Sequence, residues 1–349
     1  MRPGHAFLTI LGGWGFLALG GPQPLAAQSK PQTAKPEQAR ETGALKNARI
    51  TGGLVPARRE EPNLRRREEL PVTRAESLMW TPGAEQAKST DDIPVVTGSP
   101  AVAVSRHQAG VLWVLTLLGG DTEFYAADTL GRDFGTFRLG GAINNGWTAM
   151  SLGPCGIRTC LYIGDMGDAD ERRNAIMLYR VPEPSVPYNR LPRVFGVTGI
   201  ERLEVRFPDG PHDAGAMYLS RDGSTFIITS SATKPSMVYR VPAAAWLGNR
   251  RAQAEALGKM VVEPGQITGA AVSPDGQQVA IRTAQSILFF GHTDKWGPAL
   301  DTPLAACDLS DLNIAGRGLD WLDDRRLVLT TIKGYAPVAA IFVVRCAAP

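Results

Sequence analysis

A six-residue strand motif occurs twice in this chain, sixty residues apart, as Met177-Leu178-Tyr179-Arg180-Val181-Pro182 and Met237-Val238-Tyr239-Arg240-Val241-Pro242. Phe124-Tyr125-Ala126-Ala127-Asp128, Leu288-Phe289-Phe290 and Ile341-Phe342-Val343-Val344-Arg345 fill the same slot more loosely. Taking Tyr125, Tyr179, Tyr239, Phe289 and Phe342 as equivalents gives spacings of 54, 60, 50 and 53 residues. A second series of small-residue strands precedes each: 101–105, 148–152, 215–219, 269–273 and 318–322. Between the two series lie short apolar runs at 111–115, 161–163, 226–228, 279–281 and 327–329, and turns such as Asp222-Gly223 and Pro274-Asp275-Gly276 join first strand to second. A repeat of about 50 residues with several strands and one tight turn is the signature of propeller blades.

The expected fold is therefore all-β: a β-propeller of five blades, or six if the long stretch 184–211 holds a further hairpin. Ala and Gly in the first strands suit the crowded axis, while the outer strands diverge and carry Tyr, Phe and Val. The last repeat has room for only three strands. A strand near 76–81 is expected to complete that sheet and close the ring.

The N-terminal quarter reads differently. Residues 1–27 have a weakly basic start (Arg2, His5), an apolar stretch from Ala6 to Leu19, and a small-residue exit at Leu25-Ala26-Ala27, as a secretory signal does. Glycines at 12, 13, 15, 20 and 21 interrupt a run already short of the roughly 20 residues that span a bilayer, so no transmembrane span is expected in the mature chain. Residues 28–75 are rich in Pro, Gln, Lys, Arg and Glu and read as a disordered linker, leaving 76–349 as the propeller. With 37 basic and 34 acidic residues the net charge is +3, which gives no electrostatic case for nucleic acid. The four cysteines favour disulfides in an exported, periplasmic or secreted chain. Of the three pairings open to them, Cys155 with Cys160 and Cys307 with Cys346 is expected.

The segment Cys160-Leu161-Tyr162-Ile163-Gly164-Asp165-Met166-Gly167-Asp168, with Tyr179-Arg180-Val181-Pro182-Glu183-Pro184 downstream, resembles a family of exported bacterial β-propellers of mostly unassigned function. Gly110-Val111-Leu112-Trp113, Gly153-Pro154-Cys155, Ser273-Pro274-Asp275-Gly276 and Cys346 extend the resemblance over about 97–349. That family is distantly similar to phytase-like propellers, whose channel mouths carry carboxylates. The resemblance implies a Ca²⁺ site that positions a phosphate ester. The acidic pattern is eroded here: Gly146-Trp147-Thr148-Ala149, Asp213-Ala214-Gly215-Ala216 and Ala315-Gly316-Arg317-Gly318 stand at places where relatives carry acids, and Leu117-Leu118-Gly119-Gly120 replaces a polar turn.

Asp165 and Asp168 remain as candidate metal ligands, in a cluster with Asp170 and Glu171 that lacks the order of a helix–loop–helix Ca²⁺ loop. The competing reading is a hairpin turn whose aspartates accept backbone N–H groups. Asn144, Asn145, Trp147, His212, Asp213 and Arg317 form the candidate ligand-binding set at the channel mouth. No Gly-x-Ser-x-Gly elbow, phosphate-cradling Gly-Lys loop or dinucleotide fingerprint is present. The expected role is a non-catalytic binding module for a protein, glycan or small molecule, with a Ca²⁺-dependent phosphoester hydrolase as the alternative.

Overall fold

The computed structural model describes residues 70–82, 100–115, 122–187, 194–231, 233–248, 250–260, 262, 267–312, 314, 316–331 and 340–346. The expected signal at 1–27 and the turn at 117–120 lie outside the described residues. Among those described, the only helical elements are two 3-10 turns, Ala243–Leu247 and Ser310–Leu312. Everything else regular is strand.

Two short strands open the order, β1 (Val72–Arg74) and β2 (Glu76–Pro82). Blade 1 is β3 (Val102–Val104), β4 (Leu112–Leu115), β5 (Glu123–Ala127) and β6 (Asp133–Leu139). Blade 2 is β7 (Trp147–Cys155), β8 (Arg158–Asp165), β9 (Ile176–Pro182) and, after β10 (Val194–Val197), β11 (Glu201–Arg206). Blade 3 is β12 (Ala214–Leu219), β13 (Thr225–Thr229), β14 (Met237–Val241) and, after β15 (Arg251–Gln253), β16 (Glu255–Lys259). Blade 4 is β17 (Gly269–Val272), β18 (Gln278–Arg282), β19 (Ser286–Thr293) and β20 (Gly297–Asp308). Blade 5 is β21 (Leu319–Trp321), β22 (Arg326–Thr330), β23 (Ala340–Arg345) and the N-terminal β2, which pairs antiparallel with β23 from Glu76↔Arg345 to Pro82↔Ala340. The fold is a five-bladed β-propeller closed by an N-terminal strand.

Two expectations need correction. Among its described residues the stretch 184–211 holds no sixth blade: its β10 and β11 serve two different sheets. Nor does every blade stop at four strands. β10 pairs parallel with β6, β15 with β11, and β1 with β20, so the segment just ahead of one blade's outermost strand adds a fifth strand to the blade before it. An outermost strand otherwise presents unpaired N–H and C=O groups, and covering it blunts that edge. β1 also falls inside the expected 28–75 linker. Its backbone is held to β20 by Ala306 N–H to Pro71 O (2.9 Å) and Ala75 N–H to Asp308 O (2.9 Å).

The first-to-second strand turns form as their residues dictate. Asp222 accepts the Ser224 N–H (2.8 Å) and Asp275 the Gln277 N–H (3.0 Å), and the glycines that follow, Gly223 and Gly276, take φ of +80° and +73°. Packing lies between the sheets. β12 and β13 are buried along their whole lengths, and Trp113 meets Phe124 and Phe137 edge-on at centroid distances of 5.6 and 5.1 Å.

At the axis the constraint is backbone proximity. A Cβ on Gly215 would sit 2.6 Å from Ile267 O, one on Gly269 would sit 2.4 Å from Arg317 O, and one on Gly318 would sit 3.1 Å from Val102 N. Each glycine thus abuts the chain leading into, or forming, the next innermost strand. Ring closure between blades 5 and 1 adds a polar tie, because Asp320 accepts the Val104 N–H at 2.7 Å. Burial pushes the Asp320 carboxyl above its ordinary pKa, against the pull of Arg106 and the Val104 and Trp321 N–H groups. Both disulfides form as expected, Cys155–Cys160 across the tip of β7–β8 and Cys307–Cys346 from β20 to the residue after β23.

Gly269→Ala should cost about 1–3 kcal/mol, because the added methyl meets a carbonyl that cannot rotate away. Gly291→Ala in β19, where no atom lies within 4 Å of the new Cβ, should instead add about 0.5–1 kcal/mol. Urea midpoints of the two variants check the pair; equal shifts would show that backbone proximity at the axis is not limiting. The disulfides should differ as well. Replacing Cys307 and Cys346 by Ser opens a separation of 39 residues, and the chain-entropy relation gives a loss of about 4 kcal/mol. The same change at Cys155 and Cys160, only 5 apart, should cost about 2 kcal/mol, measured by urea unfolding without reductant.

Candidate functional site

Alternating strand direction puts the loops leading into the innermost strands and the second-to-third strand turns on one face. The first-to-second and third-to-fourth connections lie on the other. Asn144, Asn145, Asp165, Asp168, His212, Asp213 and Arg317 therefore share the first face. Their side chains are mostly engaged with the protein itself.

Asp165, 1% exposed, accepts from the Arg173 guanidinium at 3.1 Å and from the backbone N–H groups of Asn145 and Gly146. Burial raises its pKa, and Arg173 and those N–H groups offset part of the rise. Asp168 accepts the Arg173 N–H (2.7 Å), and its own N–H is held by Asp213 (2.7 Å). Asp213 and Asp168 are thus brought together, one carboxylate capping the backbone of the next loop. Asn144 accepts the Trp147 N–H at 2.9 Å, and Asn145 contributes its main chain to Asp165 rather than an oxygen to an ion. Among the described residues no three His, Cys, Asp or Glu side chains are grouped to hold a metal ion.

Trp147, expected at the channel rim, is 5% exposed, donates to Ile143 O (2.9 Å) and packs on Tyr179. It is a core residue because β7 begins there and the ring turns between blades. His212 sits with Phe207, Asp209 and Tyr239. Its Nε2 lies 2.9 Å from the Tyr239 hydroxyl and 3.1 Å from Asp209. Burial alone would raise the Asp209 carboxyl, yet hydrogen bonds from Tyr239 and His212 hold it below its usual range. The same carboxylate, with burial, pushes the Tyr239 phenol up and out of a base's range. The group braces β14 against the loop 207–213.

The channel is nearly shut. Pro100, Thr268 and Arg317 stand at its end, and the five innermost strands leave a void of about 10 Å³, room for a single water. Arg317 is half-buried there. Behind it Arg282 is fully buried and donates to the carbonyls of Gly318, Thr330 (2.8 Å) and Ile314, tying blade 4 to blade 5. Desolvation lowers its pKa to about 9. Its place at the end of Val279-Ala280-Ile281 was the only sequence hint.

A roomy concavity opens on the opposite face, about 830 Å³ in volume, between the 105–110 loop of blade 1 and the β7–β8 hairpin. Arg106, His107, Arg158, Glu183 and Arg221 line it. Nothing in the sequence marked Arg106, Arg158 and Arg221 as a group, although Arg106 and Arg221 each follow a serine just past an innermost strand, Ser105 and Ser220. Its walls are tethered: His107 Nε2 lies 2.7 Å from Thr159 Oγ1, and Gln108 donates to Pro184 O (2.8 Å) and accepts from Val186 N–H (2.8 Å). Glu183 accepts from the Trp113 indole at 2.9 Å.

Because burial raises the Asp165 pKa, the stability this group contributes is present below the unfolded carboxylate pKa and lost as pH rises through the folded one. The advantage of the native protein over Asp165→Asn should therefore shrink as pH rises from about 3 to 7. Urea midpoints across that range test it. An advantage that grows with pH would mean that the Arg173 ion pair outweighs burial.

No protein-family profile and no curated protein matches this chain. Among solved structures it is similar to the β-propeller domain of Cps50 (Swd1) from Myceliophteria thermophila, at 12% identity and a TM-score of 0.40, over 71% of this chain and 82% of that one. The PQQ-bound aldose sugar dehydrogenase from Streptomyces coelicolor aligns at 11% identity and a TM-score of 0.43, over 78% and 97% of the two chains. Regucalcin, a calcium-binding protein from Agrobacterium tumefaciens, aligns at 11% identity and a TM-score of 0.42, over 79% and 96%. By its own five sheets this chain is a β-propeller, and its similarity to these proteins is distant.

Proposed function

We propose that this chain is an exported binding propeller without chemistry of its own, carrying a removable signal at 1–27 and a tether through about residue 69, and that its ligand sits in the cleft between blades 1 and 2. The contrast in free volume carries this reading: about 830 Å³ in the cleft, within the range of ligand sites, against about 10 Å³ on the axis. Two disulfides agree with export. No described helix is long and apolar enough to cross a membrane. The phosphoester-hydrolase alternative needs carboxylates free to hold Ca²⁺, whereas Asp165, Asp168 and Asp213 are engaged with Arg173 and backbone donors.

A mixed small-molecule fragment set, followed by amide chemical shifts, should perturb residues 105–108 and 153–159 first. Millimolar CaCl₂ should leave the melting temperature unchanged. Perturbations gathered on the face of Asp165 and His212, or a Ca²⁺-dependent rise in melting temperature lost in Asp165→Ala with Asp168→Ala, would overturn the proposal.

A further inference from the structure

Resting on the binding reading above, we infer that the cleft between blades 1 and 2 selects an organic anion, a carboxylate- or phosphate-bearing small molecule whose charged group meets Arg158 and Arg221 while its apolar part lies against Ile157 and Pro154. The charge balance is one-sided. Arg106, Arg158 and Arg221 line the cleft against one carboxylate, Glu183, and that one is already engaged by the Trp113 indole and by Gln108 Nε2 at 3.3 Å. Arg106 pairs with Asp320 at 3.6 Å, and Arg221 donates to Pro274 O at 3.1 Å with the Asp275 carboxylate nearby, so both guanidinium groups are fixed and partly answered. Arg158 is exposed and has no side-chain hydrogen bond or ion pair among the described residues. A guanidinium with free donors is suited to bidentate capture of a carboxylate or phosphate.

The same hairpin supplies the apolar part. Ile157 is fully exposed at its tip, 104% by relative area, beside Pro154 and Leu152 in the wall. Together with Leu152 and Pro154, Ile157 gives the wall beside Arg158 an apolar surface, as mixed ligand sites have. The Cys155–Cys160 bridge closes the hairpin directly behind Ile157 and Arg158, and the His107 to Thr159 contact fastens it to blade 1. The hairpin backbone that carries both residues is therefore held in place before a ligand arrives, which removes part of the ordering cost of binding and leaves the two side chains to order on contact.

Titration calorimetry at low ionic strength with three probes tests this: isophthalate, its neutral diamide, and inorganic phosphate. Isophthalate should bind at least about tenfold tighter than either comparison, weaken as salt is added, and lose about tenfold in Arg158→Gln. Arg172→Gln on the opposite face should change nothing. Diamide binding as tight as isophthalate, with cleft residues still perturbed by fragments, overturns anion selection and leaves the binding cleft standing. Phosphate matching isophthalate overturns the apolar half. Unchanged affinity in Arg158→Gln overturns the placement. Absence of binding by all three overturns the inference, and absence of any fragment response at 105–108 and 153–159 removes the binding reading with it.

Discussion

Close approach of backbone around the axis is the constraint from which the rest of the molecule follows. Gly215 and Gly269 leave no room for a Cβ against Ile267 and Arg317, and Gly318 leaves little against Val102, so the innermost strands meet almost main chain to main chain. Small neighbours such as Ala216 and Ala270 keep that contact dry. A ring drawn in this far has a void of one water instead of a channel. Anything the protein binds must then be held on a face or between blades.

Such a ring needs its ends joined, and three different forces act where they meet. β2 supplies backbone hydrogen bonds to β23, Asp320 ties innermost strands through the Val104 N–H, and Cys307–Cys346 is covalent. β1 pairs in register with the disulfide strand, Thr73 opposite Cys307, so the N-terminal segment touches both blades that the disulfide joins. The parallel strands β10 and β15 repeat this reach-back elsewhere in the ring. Neighbouring blades are thereby linked by backbone as well as by side-chain packing.

The two faces use charge in opposite ways. On one, carboxylates are answered by nearby donors: Asp165 by the Arg173 guanidinium, Asp168 by the Arg173 N–H, Asp213 by the Asp168 N–H, and Asp209 by His212 and Tyr239. Such groups hold loops and have little left for an ion. On the other face, three arginines line open space: Arg106 is paired with Asp320, Arg221 is held by Pro274 O beside Asp275, and Arg158 has no side-chain partner among the described residues. Unanswered charge beside exposed apolar surface is the chemistry of recognition rather than of scaffolding.

Repeat spacing, small residues in the first strands and the Asp-Gly turns were enough to read five blades, because each depends on contacts local to one repeat, and the closing strand from Glu76 followed from a last repeat one strand short. The sharing of one face by Asn145, Asp165, His212 and Asp213 was legible too, since strand alternation places them. What the sequence could not show was whether those side chains were free: Arg173 satisfies Asp165 from eight residues away, but Tyr239 in β14 reaches Asp209 and His212 from beyond β12 and β13. Fifth strands escaped for the same reason, as Val72 pairs with Ala306 and Val194 with Thr136, partners that no periodicity links. Sequence by itself determined the fold, through short-range pattern and backbone geometry. Only the tertiary structure decided which charges are satisfied and which face is open, because both depend on distances between residues far apart in the chain.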